Sequence, residues 1–294
     1  GMPATYSVSW HKQEPLIGRR NECGKLFQWV EDVFTGELGR FHITGPAGIG
    51  KTRLLNEVVD YIEGKKWGQV FRARCRLRED HPLQAFDQIC DAVANRYMLD
   101  DREAMILDPV SVELLKGVFP VLANVLLPNM QIAMSDGSPV GMDKFIAATR
   151  LTEQLRKVGP LFLVIDDSQW VDRDTLNLLD QLQSAVGEAG LGIITASLEE
   201  NDPQRTLATH TLKLNPLTLE ESLAMIRRAA DRWNLELSDA IRNELALSAQ
   251  GSPFRLTQLT DEFLPGGAVA NLPGDDLAVL PSLDRLWKER ADRL

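Results

Sequence analysis

One run of residues concentrates groups able to handle phosphate. Gly45-Pro46-Ala47-Gly48-Ile49-Gly50-Lys51-Thr52 follows the pattern GxxxxGK(S/T). In such a run the backbone N–H groups of a glycine-rich turn converge on one centre and hold phosphate oxygens. The N-terminus of a following helix adds partial positive charge. Lys51 then reaches the outer phosphates, and the Thr52 hydroxyl supplies a hard oxygen ligand for Mg²⁺. The complementary groups stand about 115 residues later, in Asp166-Asp167 at the end of an apolar run. Asp166 is expected to hold Mg²⁺ through water, and Asp167 to orient or deprotonate an attacking water. Two plainer alternatives stay open. The glycine run fits a bare strand–helix turn with a solvent-facing lysine, and the two carboxylates fit caps for a helix starting near Asp172.

Chemistry of this kind needs strands that end where the loop and the acids begin. Phe41–Thr44 reads as a strand running into Gly45, and Lys51–Ile62 as a helix with Leu54, Leu55, Val58, Val59 and Ile62 on one face. Leu161–Ile165 is a continuous apolar run, as expected of a parallel strand covered on both sides. Gln69–Ala73, Gly192–Ala196 and Thr211–Leu214 read as further strands. Helical spacing marks Glu22–Phe34, several helices between Leu83 and Leu127, Met142–Val158 and the stretch around Leu176–Leu182. Strands alternating with helices predict an α/β fold built on a doubly wound parallel sheet of about five strands. Beyond Asn215-Pro216 only helices are predicted, opened by a capping box at Thr218–Glu221, by Ser238, and by Ser252-Pro253. The expected organisation is an irregular leader over 1–15, an α/β domain over 16–215, a helical lid over 216–264, and a linker with the start of a further helix over 265–294.

At this point the chain resembles a P-loop NTPase of the AAA+ superfamily, in the STAND branch of signalling ATPases found in LuxR-type regulators. The loop and the Leu161–Asp167 strand carry the resemblance. Ile17-Gly18-Arg19, in a segment resembling GRxxE, the run Asp166–Asp172, resembling DDxQWxD, and Gly251-Ser252-Pro253, resembling GxP, sharpen it. The resemblance implies a three-layer P-loop core followed by a small all-helical lid. It implies ATP or ADP with Mg²⁺, bound by Gly45–Thr52 and the adjoining Arg53, with Ile17, Gly18 and Arg19 against the adenine and Pro253 at the base or ribose. The implied activity is slow ATP hydrolysis in a regulatory switch, with ATP favouring an open form and ADP a closed one. One departure stands out. Leu198 falls about where the family carries an arginine that senses the terminal phosphate, and a leucine cannot stabilise transferring phosphate. Arg205 is a possible substitute, and a nucleotide-holding scaffold without turnover is a further alternative.

The 294-residue chain holds 32 Lys and Arg against 42 Asp and Glu, a net charge of −10. Such a balance opposes generic binding to nucleic acid or anionic membrane, and so weighs against a nucleic-acid-linked AAA+ ATPase of the origin-binding or clamp-loading kind. Arg72, Arg74, Arg76 and Arg78 alternate along an extended stretch, read as a solvated edge or, alternatively, a phosphate or partner surface. Cys23, Cys75 and Cys90 fit no metal spacing, and the histidines are read as structural. No apolar run approaches a membrane span, and a cytoplasmic protein with adenine nucleotide and protein partners is expected. Trp170 is expected to pack beneath the sheet. The passage Leu280–Leu294 resembles one that leads into further domains, so more chain is expected beyond it.

Overall fold

Every residue of β3 (Leu161–Asp166) and of β4 (Leu191–Ser197) is buried, as the apolar runs require of strands covered on both faces. They lie at the middle of one five-stranded parallel sheet with β1 (Leu38–Thr44), β2 (Gln69–Arg74) and β5 (His210–Lys213), in the order β2-β3-β4-β1-β5. The computed structural model describes residues 16–77, 83–99, 141–185, 190–198 and 207–264. The leader 1–15, the stretch 100–140, His81, Arg78, Arg205 and the passage 265–294 lie outside the described residues.

Among the described residues, five helices clothe the sheet: α1 (Arg20–Phe34), α2 (Lys51–Lys65), α3 (Gln84–Leu99), α4 (Gly141–Val158) and α5 (Arg173–Ala185). α1 and α2 cover one face, where Trp29 stands edge-on to both Phe41 and Phe162. α3, α4 and α5 cover the other, joining Phe86, Leu151 and Leu179 to Leu163, Ile165 and Ile193 in one apolar core. The three-layer α/β architecture expected of the sequence is therefore present.

Register sets the strand tips level. Thr44 pairs with Ser197 and Ile165 with Thr195, so the loop after β1 and the acids ending β3 emerge from the same sheet edge. Ligands of open α/β sheets bind at this carboxyl edge. β1 begins at Leu38, earlier than its apolar pattern suggests. Gly39 and Arg40 look unlike strand residues, but the buried Arg40 guanidinium reaches Asp180 of α5 at 2.6 Å. Burial lowers the Arg40 pKa, and the Asp180 charge opposes that shift.

The chain divides into two compact units, one of them running from Arg20 to Pro216. In the other, residues 16–19 group with α6 (Leu219–Arg232), α7 (Asp239–Ala249) and α8 (Pro253–Phe263). Thr218 and Glu221 form the expected capping box, Ser238 caps α7, and Ser252 caps α8 with Pro253 in its first turn. Ile226, Ala229, Leu245, Ala249, Leu256 and Leu259 make a small core between the three helices. Among the described residues, no helix is long and apolar enough to cross a membrane.

Candidate functional site

The run from Gly45 to Thr52 turns from the buried end of β1 into the first residues of α2. Gly48 and Gly50 hold left-handed φ values of 73° and 103°, which glycine adopts without the strain a side chain would bring. Gly50 is the N-cap residue of α2 and no side chain caps that end, so its leading N–H groups face the loop. Pro46 and Ala47 are exposed while Gly45 and Ile49 are buried, so the loop is anchored at its base and open at its crest. The Lys51 ammonium lies inside the loop and donates to the carbonyls of Gly45 at 2.7 Å and Pro46 at 3.0 Å. Burial lowers its pKa, opposed by the charges of Asp166 and Asp167. Arg53, the next residue but one, pairs with Glu57 one turn along α2.

Across the sheet edge, Asp166 is the last residue of β3 and is buried. Its Oδ2 accepts from the Thr52 hydroxyl at 2.7 Å, so the structure brings together two side chains 114 positions apart. Its Oδ1 accepts from the Asp167 N–H at 3.0 Å. A hydroxyl and a carboxylate side by side are the hard oxygen donors that Mg²⁺ takes, with phosphate and water filling the rest of its shell. Among the described residues no group of three or more His, Cys, Asp or Glu is placed to hold a metal ion.

The structure separates the acids from the helix-capping alternative. Asp172 makes the cap, accepting from Thr175 N–H at 2.8 Å and from the Thr175 hydroxyl at 2.6 Å. Asp167 instead holds a left-handed φ of 54° and opens a short 3-10 turn over Ser168–Trp170. Its Oδ2 accepts from Arg74 Nε at 2.8 Å. The Arg74 side chain stays 63% exposed on the edge strand, in line with the solvated-edge expectation for the arginine row, with this pair added to it. Arg72 and Arg74 share one face of the edge strand β2, with Arg74 level with Asp166 at the end of β3. Arg72 donates to Asn56 of α2 at 2.6 Å, and Gln88 of α3 clamps the backbone of Arg74 through both its N–H and its carbonyl. The Arg74 pKa is raised by its hydrogen bond to Asp167 and by that residue's charge.

Beside the acids, the exposed Leu198 follows β4, and its N–H donates to Gln169 Oε1 at 3.1 Å. The side chain at this position is an uncharged leucine. Trp170, expected beneath the sheet, is instead 41% exposed, because the 3-10 turn carries it past the strand ends. His42, read with the other histidines as structural, is wholly buried on β1 between two hydroxyls of β4. Its only sequence signal was a polar residue inside an apolar strand.

The remaining residues of the expected site belong to the helical unit. Gly18 and Arg19 both have left-handed backbone, with φ 72° and 59°, beside a half-buried Ile17. Arg19 N–H donates to Glu221 Oε1 at 3.2 Å, and a Cβ on Gly18 would sit 2.4 Å from the same oxygen. Pro253 is half-buried at the start of α8, after Gly251, whose carbonyl accepts from Leu217 N–H at 2.8 Å.

Comparison with known proteins supports the geometry. A family described as "AAA ATPase domain" matches residues 15–194. An uncharacterized protein of Rhizobium meliloti is 25% identical over 236 residues, covering 72% of this chain and 22% of that protein. The chain thus spans well under half the length of the curated relative it matches. Among solved structures, a Walker-type ATPase of Pyrococcus abyssi aligns with TM-score 0.57 at 15% identity, over 95% of this chain and 76% of that one. Cdc6p of Pyrobaculum aerophilum aligns with TM-score 0.56 at 17% identity, over 89% of this chain and 64% of that one. A point mutant of Thermotoga maritima RuvB aligns with TM-score 0.51 at 15% identity, over 87% and 65%. At these identities the likeness is one of fold.

Proposed function

This chain belongs to the AAA ATPase domain family, and from that premise we propose that it is an ATP-binding regulatory switch of the STAND type that hydrolyses ATP slowly. The observation that carries the proposal is the joining of Thr52 to Asp166 beneath the loop that holds Lys51. It gathers a phosphate cradle, a cation and an oxygen pair for Mg²⁺ at one sheet edge. The N–H groups of Ala47–Gly50 would bind the phosphates, Lys51 would leave its loop carbonyls for phosphate oxygens, and Thr52 with Asp166 would hold Mg²⁺. The bound ion would neutralise charge on the transferring phosphate. Asp167 would accept the proton of an attacking water.

Two features favour slow turnover. One oxygen of Asp167 is already engaged by Arg74, and Leu198 puts an uncharged side chain where a phosphate-sensing cation would stand. A slow enzyme keeps its nucleotide long enough for the bound state to set conformation. Ile17, Gly18, Arg19 and Pro253 are proposed to contact the adenosine part. Further domains or protein partners are proposed to read the state out, in signalling or transcription control.

Limited proteolysis with ATP–Mg²⁺ and with ADP tests the switch. Two distinct cleavage patterns are expected, and one pattern in both nucleotides would sink the proposal. A nucleic-acid-linked ATPase finds less support, because Arg72 and Arg74 turn to an amide and a carboxylate of this chain. A salt-titrated DNA-binding assay separates the two: the switch predicts no tight, steeply salt-dependent binding.

A further inference from the structure

The ends of β1 and β4 carry a buried polar group beside the apolar core, on the face of β1 that also buries Arg40 and Thr44. His42 and Ser197 have no exposed surface and Thr195 has 4%. His42 Nδ1 lies 2.7 Å from Thr195 Oγ1, and its Nε2 lies 3.2 Å from Ser197 Oγ. Inner positions of parallel strands are ordinarily filled by valine or isoleucine. A buried polar group is tolerated where it is hydrogen-bonded, as both ring nitrogens are here. The group lies toward the carboxyl end, with His42 level with Thr195 and Ser197 level with Thr44, the residue before the loop. From Ser197 the chain passes to Leu198, whose N–H is held by Gln169 in the turn that Asp167 opens.

We infer that His42 is a positioning residue that couples the phosphate loop to the tip of β4 and, through Leu198 and Gln169, to the turn carrying Asp167; this rests on the nucleotide-binding reading of the loop. A neutral imidazole offers one donor and one acceptor, and each hydroxyl can play either part. Two proton arrangements satisfy the group. In one, Nδ1–H donates to Thr195 and the Ser197 hydroxyl donates to Nε2. In the other, the Thr195 hydroxyl donates to Nδ1, Nε2–H donates to Ser197, and the Ser197 proton turns to another acceptor. The two have equal charge; passing from the first to the second puts the Nδ1 proton on Thr195 and the Ser197 proton on Nε2, so Thr195 sheds its own proton and Ser197 regains one through a relay of water at the strand tips. A shift of β1 against β4 when the loop closes on phosphate selects between them and resets the β4 tip.

The test uses the full chain in three forms, wild type, His42→Leu and His42→Gln, with ADP and with ATP–Mg²⁺. The ring nitrogens of His42 are followed by ¹⁵N NMR and the amides of 168–170 and 195–198 by hydrogen exchange. In the wild type the ring signals differ between nucleotides, and ATP slows exchange at both tips by about tenfold relative to ADP, the worth of roughly one hydrogen bond. His42→Leu keeps ATP affinity within about threefold of the wild type, since it touches no ligand, but loses the ATP–ADP exchange difference. His42→Gln, whose amide keeps a donor and an acceptor, retains part of it. The coupling is overturned if His42→Leu binds ATP and shows the wild-type difference, or if the wild-type ring signals match in both nucleotides. Should the leucine variant not fold, His42→Gln and the wild-type ring signals decide. Failure of the wild type to bind either nucleotide overturns the loop assignment itself, before any His42 variant is made.

Discussion

At the residue scale, the contact between Arg74 and Asp167 governs what the acid pair can do. The arginine side chain is 63% exposed, so the pair is worth at most about 1 kcal/mol. It nevertheless occupies one of the two oxygens through which Asp167 is proposed to accept a proton. Arg74→Ala is therefore expected to raise single-turnover hydrolysis about threefold while leaving ATP affinity unchanged, a factor in keeping with a weak exposed pair. A lower rate in that variant would show that Arg74 assists the water instead of withholding the base. Asp167→Asn is expected to abolish turnover and spare binding, and equal rates in variant and wild type would remove Asp167 from the chemistry. Lys51, Thr52 and Asp166 were legible from type and spacing alone. Arg74 and His42 were not: their partners depend on which strands are neighbours and in what register, and neither is written locally.

At the element scale, the helical unit hangs on Glu221. Its Oε2 accepts from Thr218 N–H at 2.8 Å inside the capping box, and its Oε1 accepts from Arg19 N–H. Burial alone would raise the pKa of this carboxyl, but the hydrogen bonds from Thr218 and Arg19 and the charge of Arg19 outweigh it and hold it below the usual value. A depressed folded value means that the contribution to stability is complete above the ordinary glutamate value of 4.5. It is lost as the pH falls below that value, through the folded pKa. Denaturant titrations of wild type and Glu221→Gln should accordingly differ at neutral pH and converge in acid. A pH-independent gap would contradict that account. Gly18→Ala, with φ 72° and a Cβ directed at the same carboxylate, should cost about 1–2 kcal/mol in the same titration. The capping box was readable because its members lie three positions apart. The clasp to Arg19 was not, since 202 positions separate the partners. β1 was read too short for a related reason: buried Arg40 belongs in a strand only because α5 brings Asp180 to it.

At the scale of the whole molecule, the acidic balance and the phosphate chemistry are reconciled by locality. A chain of net charge −10 repels polyanions, yet the loop amides, the α2 terminus and Lys51 form a small positive cradle within that field. The sheet order was not legible from hydropathy, which gives strands but no neighbours. The parallel architecture was, because the apolar runs alternate with helices. Calorimetric titration of ATP with Mg²⁺ into the wild-type chain and into Lys51→Ala tests the central claim most directly. The account predicts binding in the micromolar range for the wild type and a loss of about 10- to 100-fold in the variant, the worth of hydrogen bonds from a charged donor. ATP and ADP binding by Lys51→Ala as tight as that of the wild type would contradict it.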